Sequence, residues 1–172
     1  MNDPCLIWCH GALATPWGNK SRSLADTAKR LGLAMEAMDF QDLDDPDQRV
    51  GRLAAKLGKE GRPAILAGSS MGGYVAAAAS IRADVRGLFV LAPAFYLHGY
   101  AVQDFAGLRE NVAVVHGWRD EVVPVSNAIR FARHHAAALH VFDDDHRLAD
   151  SLDEINALFA RFLETALARE KP

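Results

Sequence analysis

Short apolar runs alternate along the chain with stretches whose apolar residues recur at helical spacing. The run Cys5–Cys9 (CLIWC) predicts a first strand that stops at His10-Gly11. Leu24, Ala28 and Leu31 predict a helix over about 21–31, with Gly32 placed to end it. Residues Leu33–Phe40 read as a second strand, although methionines and alanines dilute its pattern. Asp45, Pro46 and Gln48 supply an N-cap, a proline at the first helical position and a capping-box partner. Val50, Leu53, Ala54 and Leu57 form the apolar stripe of the helix that follows.

Ala64–Ala67 predicts a third strand, and Tyr74–Ile81 an alanine-rich helix able to lie close against a sheet. Gly87–Ala92 (GLFVLA) and Val112–His116 (VAVVH) are continuous apolar runs, as central parallel strands covered on both faces require. Ser126 is placed to begin a further helix, and Leu139–Phe142 reads as the last strand. Ser151 and Glu154 form a capping-box pattern ahead of Leu152, Ile155, Leu158, Phe159, Phe162 and Leu163 at helical spacing. The order βαβαβαβ, a longer connection, then βαβα predicts an α/β fold. Its core is a single, mainly parallel sheet of about six strands with helices on both faces, in one domain over residues 1–172. The longer connection, Pro93–Asn111, carries Phe95, Tyr96, Tyr100 and Phe105. It reads either as a surface loop with a short helix or as a small lid and acyl-pocket wall.

Composition narrows the function classes. The 172 residues are 50% hydrophobic, enough for a sizeable core, and the net charge is −3. No basic block is dense enough to follow a phosphate backbone, so nucleic acid is not an expected partner. No window has the ~18 apolar residues of a membrane span, and the N-terminus lacks a signal-peptide pattern, so a cytoplasmic protein is expected. Cys5 and Cys9, on one strand, would lie roughly 13 Å apart and are expected to be free thiols.

The chemistry concentrates in three segments. Gly68-Ser69-Ser70-Met71-Gly72 follows the apolar run AILA and precedes a helical pattern, the strand–turn–helix context of a G-x-S-x-G elbow, with Ser70 as nucleophile. A serine hydroxyl needs a base, and that base needs an orienting acid. Asp120, just beyond VAVVH, fits the acid, and His146, just beyond LHVF, fits the base. Asp143, Asp144 and Asp145 compete for the acid role but share the loop of His146, where solvated side chains are expected. His116 and His140 read as sheet or strand-end residues, and His134-His135 as an exposed helix face. His135 and His140 match no zinc-ligand pattern, so neither a metal nor an organic cofactor is expected.

His10-Gly11, GSSMGG, HGWRDEVVP, DDDH and the terminal amphipathic pattern together resemble the α/β-hydrolase superfamily, and within it the small, nearly capless bacterial serine esterases. The resemblance spans essentially the whole chain. It implies an α/β-hydrolase fold with a minimal cap reduced to residues 93–111, and acyl transfer to water from a small ester or thioester. It also implies that the backbone N–H groups of Ala12 and Met71 form the oxyanion hole, with His10 holding the Ala12 loop in shape. The lipase-type HGGG loop is missing. Leu13, Trp17, Tyr74, Phe95, Tyr96, Trp118 and Val122 could line an apolar substrate site, and no charged group converges there to receive an anionic substrate. Two other functions share these residues: an acyltransferase with another acceptor, and a binding scaffold on a retained hydrolase fold. Oligomeric state is not legible.

Overall fold

Within each strand, successive side chains point to opposite faces, and two separate cores result. In the computed structural model, which describes residues 4–108 and 111–168, β1 (Cys5–Cys9) sends Cys5, Ile7 and Cys9 to one core and Leu6 and Trp8 to the other. The same division runs through β3 (Ala64–Ser69), β4 (Val85–Leu91) and β5 (Val112–Gly117). The first core is closed by α2 (Pro46–Glu60), α3 (Met71–Ser80) and α4 (Val125–His135) through Leu53, Tyr74 and Phe131. The second is closed by α1 (Asn19–Arg30) and α5 (Leu152–Ala168) through Leu24, Ile155, Phe159 and Leu163. With β2 (Met35–Ala37) and β6 (Ala138–Phe142), the described residues form one six-stranded sheet in the order β2-β1-β3-β4-β5-β6. Every strand pair is parallel.

That order places the site. The chain steps outward from β1 to β2 and then returns to β3 on the other side of β1. The connections leaving β1 and β3 therefore diverge to opposite faces, α1 to one core and α3 to the other, and open a crevice at the strand ends. His10-Gly11-Ala12 follows β1, and Ser70 follows β3.

Several expectations shift. The second strand shrinks to Met35–Ala37, although the Met38 amide still donates to Trp8 O at 2.9 Å and the Phe40 amide to His10 Nε2 at 3.0 Å. Asp45 caps α2 by accepting from the Asp47 and Gln48 amides. Ser151 does not form the expected capping box: its hydroxyl and amide both donate to the Asp144 carboxylate. The 93–108 part of the long connection is packed down rather than lid-like, with Phe95 and Phe105 fully buried. Among the described residues, no helix is long and apolar enough to cross a membrane.

Candidate active site

The turn from β3 into α3 is strained at one residue. Ser70 has φ 54° and ψ −121°, a region that L-residues rarely occupy, and its amide donates to Leu91 O at 2.9 Å. Its carbonyl accepts from the amides of Gly73, Tyr74 and Ala94, so the conformation is held on both sides of the elbow. Gly72 is required by close approach: a Cβ there would overlap the Cys9 carbonyl and lie 2.6 Å from His10 O. The start of α3 therefore lies directly against the end of β1, and the Ser70 side chain stands beside Gly11.

His146 reaches this point from the loop after β6. Its Nε2 lies 3.0 Å from Ser70 Oγ, and its Nδ1 lies 2.7 Å from Asp120 Oδ2. With Nδ1–H donating to Asp120, Nε2 is left as a hydrogen-bond acceptor facing the Ser70 hydroxyl. The Asp120 side chain is completely buried. Its other oxygen, Oδ1, accepts from the Val122 and Val123 amides at 2.9 and 2.8 Å. His116 lies in β5 as expected, and its Nε2 also lies 2.9 Å from Val123 O and 3.1 Å from Asp120 Oδ2. Burial pushes the His116 pKa down, so the ring is neutral and its Nε2–H is shared between that carbonyl and the carboxylate. A histidine closing an apolar strand four residues before the acid was the available signal.

The base loop is anchored from below. Asp144 is buried, not solvated as expected: Oδ1 accepts from the Asp145 amide and Oδ2 from the Ser151 amide and hydroxyl. Asp143 is exposed and paired with Arg119, and exposed Asp145 accepts from the Arg147 amide. Among the described residues, the His146 ring hydrogen-bonds to none of the three. Gly117 lets the two loops meet, because a Cβ there would overlap Asp144 O and lie 2.7 Å from Asp145 O.

Two cations that sequence reasoning missed also converge here. Lys20 Nζ donates to Ser69 Oγ at 3.1 Å, and burial lowers its pKa to about 8, partly opposed by Asp144, Asp145 and Asp120. A charged group therefore does approach the site, from the first turn of α1. Arg49, fully buried on α2, donates to Leu43 O, Gly11 O and Ala12 O. It precedes Leu53 by four residues and so shares the buried face of that helix, a clue its charge concealed.

The apolar candidates divide. Leu13, Trp17, Trp118 and Val122 are exposed, on the loops following β1 and β5. Phe95 instead stacks on Phe131 at 4.1 Å within the core, and Tyr96 carries the Arg130 guanidinium 3.9 Å over its ring. Buried Tyr74 donates its hydroxyl to Asp47 Oδ1. These three rings are occupied by packing or by polar partners. Among the described residues, no group of three or more His, Cys, Asp or Glu side chains is placed to hold a metal ion.

No curated protein matches the sequence. Among solved structures, a hydrolase of the alpha/beta superfamily from Xanthomonas campestris pv. campestris is 32% identical, with TM-score 0.86 over 95% of this chain and 99% of that one. Est1E from Butyrivibrio proteoclasticus is 18% identical, with TM-score 0.83 over 96% of this chain and 89% of that one, and has also been solved with ferulic acid bound. The Pyrococcus furiosus esterase Pf2001 is 16% identical, with TM-score 0.74 over 96% of this chain and 84% of that one. The last two show a shared fold. The model of the alpha/beta hydrolase family matches residues 6–170, and the chain belongs to that family.

Proposed function

We propose that this protein is a serine esterase that cleaves small carboxylic esters through Ser70, His146 and Asp120. The observation that carries the reading is the unbroken relay from Ser70 Oγ to His146 Nε2 at 3.0 Å and from His146 Nδ1 to Asp120 at 2.7 Å, set on a strained elbow. Ser70 Oγ attacks the ester carbonyl as His146 takes its proton, and Asp120 stabilises the imidazolium. The Ala12 and Met71 amides, neither of which is hydrogen-bonded among the described residues, receive the negative charge of the tetrahedral oxygen. His146 returns its proton to the departing alkoxide. Water, deprotonated in turn by His146, then releases the acid and restores Ser70.

Esters fit best because the site needs no more than this equipment, and thioesters are the next class it can serve. The similarity to Est1E and Pf2001 lends support at the level of fold. Leu13, Trp17, Trp118 and Val122 are the groups proposed to receive the apolar part of the substrate. The direct test is Ser70→Ala on p-nitrophenyl butyrate: turnover should vanish while the thermal melt is unchanged, and wild-type turnover in the variant would end this reading.

A further inference from the structure

We infer that Arg49 is a positioning residue that aims the Ala12 N–H at the substrate oxygen; this rests on the serine-esterase reading. Its side chain is 1% exposed, and among the described residues no carboxylate lies within 4 Å of it. A buried, unpaired cation is an expensive way to fill a core position that methionine or leucine could occupy. Asp44 favours its charge from a distance, and the groups that touch it are backbone carbonyls: Leu43 O accepts from Nε at 2.6 Å, Gly11 O from Nη1 at 3.3 Å and Ala12 O from Nη2 at 3.3 Å. The guanidinium carbon also lies 5.5 Å from the centre of the Phe40 ring, a cation–π distance.

Two of those carbonyls flank one residue. The Gly11 carbonyl and the Ala12 N–H belong to the same peptide unit, and the chain has no cis peptide among its described residues. In a planar trans peptide the C=O and N–H point in opposite directions. Whatever holds Gly11 O therefore sets the direction of the Ala12 N–H. Arg49 Nη1 holds it, together with His10 Nδ1 at 2.7 Å and, more weakly, the Ala14 amide at 3.4 Å. The His10 ring is itself fixed, because its Nε2 accepts from the Phe40 amide at 3.0 Å. Gly11 O can only accept, so Nδ1 carries the proton, and burial keeps the ring neutral by lowering its pKa. Arg49 Nη2 holds the Ala12 carbonyl, which pins the next peptide plane as well. The fork of the guanidinium thus restrains Ala12 on both sides, which a lysine ammonium, lacking that planar fork, would do less well.

The role belongs to the transition state, because the oxyanion exists only there, and that gives the test its readout. Arg49→Met and Arg49→Lys should both fold, and each should lower kcat on p-nitrophenyl butyrate with KM within about twofold of wild type. The expected loss is about tenfold to a hundredfold for methionine, below the ~10²–10³ that follows deletion of an oxyanion donor, and smaller for lysine. Affinity for an alkyl boronic acid, which forms a tetrahedral adduct on Ser70, should fall in parallel with kcat. Affinity for the product carboxylic acid should not change. A purely structural role would lower the melting temperature without this split. Wild-type kcat and boronate affinity in either folded variant would overturn the inference, and Arg49→Lys serves if Arg49→Met does not fold. Ser70→Ala separates the two readings. Turnover lost in Ser70→Ala but intact in the Arg49 variants removes only the positioning role; turnover intact in Ser70→Ala removes both.

Discussion

Gly117→Ala alters no side chain of the relay, yet it should disable the site. The added Cβ would lie 2.7 Å from Asp145 O and closer still to Asp144 O, whereas ordinary contact begins at 3.4 Å. Relief requires the base loop to retreat by about 0.7 Å or more, the shortfall between those two distances. The sheet side has little room to yield, because the Trp118 amide donates to Phe142 O at 2.8 Å and the Arg119 amide to Asp144 O at 3.0 Å. A retreat of that size would stretch the 3.0 Å contact between His146 and Ser70 beyond useful hydrogen-bonding range. Misplacement by ~1 Å can cost about 10²-fold in rate, or roughly 2.7 kcal/mol of transition-state stabilisation. Steady-state kinetics on p-nitrophenyl butyrate, beside a thermal melt, would measure it: kcat should fall about a hundredfold while the protein stays folded. Wild-type kcat in a folded Gly117→Ala protein would mean that the two loops can separate without displacing His146.

Asp120→Asn should lower kcat by about 10⁴, by analogy with triads in which asparagine selects the wrong histidine tautomer, while Asp143→Asn and Asp145→Asn should stay close to wild type. A kinetic comparison of the three variants decides whether Asp120 is the acid. Asp144→Ala should chiefly destabilise, by about 1–3 kcal/mol, since it strands donors from Ser151; an unchanged denaturation midpoint would contradict that. Acid should weaken the fold. Burial lowers the pKa of both His10 and His116, so below about 6.5 the unfolded chain binds protons that the native state does not, and stability should fall as pH drops through that value. Urea titrations at pH 7.5 and 5.5 would show it, and equal midpoints would argue against two buried neutral rings. Short acyl esters should be preferred to long ones, because each added CH₂ gains about 0.8 kcal/mol only where an apolar wall receives it. Phe95 is enclosed in the core, and Tyr96 lies under Arg130. A kcat/KM that keeps rising from butyryl to palmitoyl esters would count against this shallow site.

The fold was legible because its four central strands are apolar on both faces, whereas the edge strands β2 and β6, only partly buried, carry a weaker pattern. Ser70, Asp120 and His146 stand out because each follows a strand in a telling chain order, and the structure brings their side chains within hydrogen-bonding distance. What supports them was not legible. Arg49 reads as a solvated helix charge until Gly11 and Ala12 fold over it, and Lys20, four residues before Leu24, is masked by its charge in the same way. Asp144 is separated from its neighbours Asp143 and Asp145 only by burial, which a run of three aspartates cannot reveal. Ser151 showed the same limit: the local pattern favoured a helix cap, and a partner seven residues earlier took its hydroxyl instead.

Covalent labelling reads the reactivity of Ser70 itself. A fluorophosphonate reacts with a serine only when a neighbouring base activates it, and the adduct can be located by peptide mass mapping. A serine activated by His146 should give a single adduct on the peptide carrying Ser70, absent in Ser70→Ala and formed far more slowly in His146→Ala. A folded wild-type protein that stays unlabelled, or one labelled at another residue, would contradict that role for Ser70.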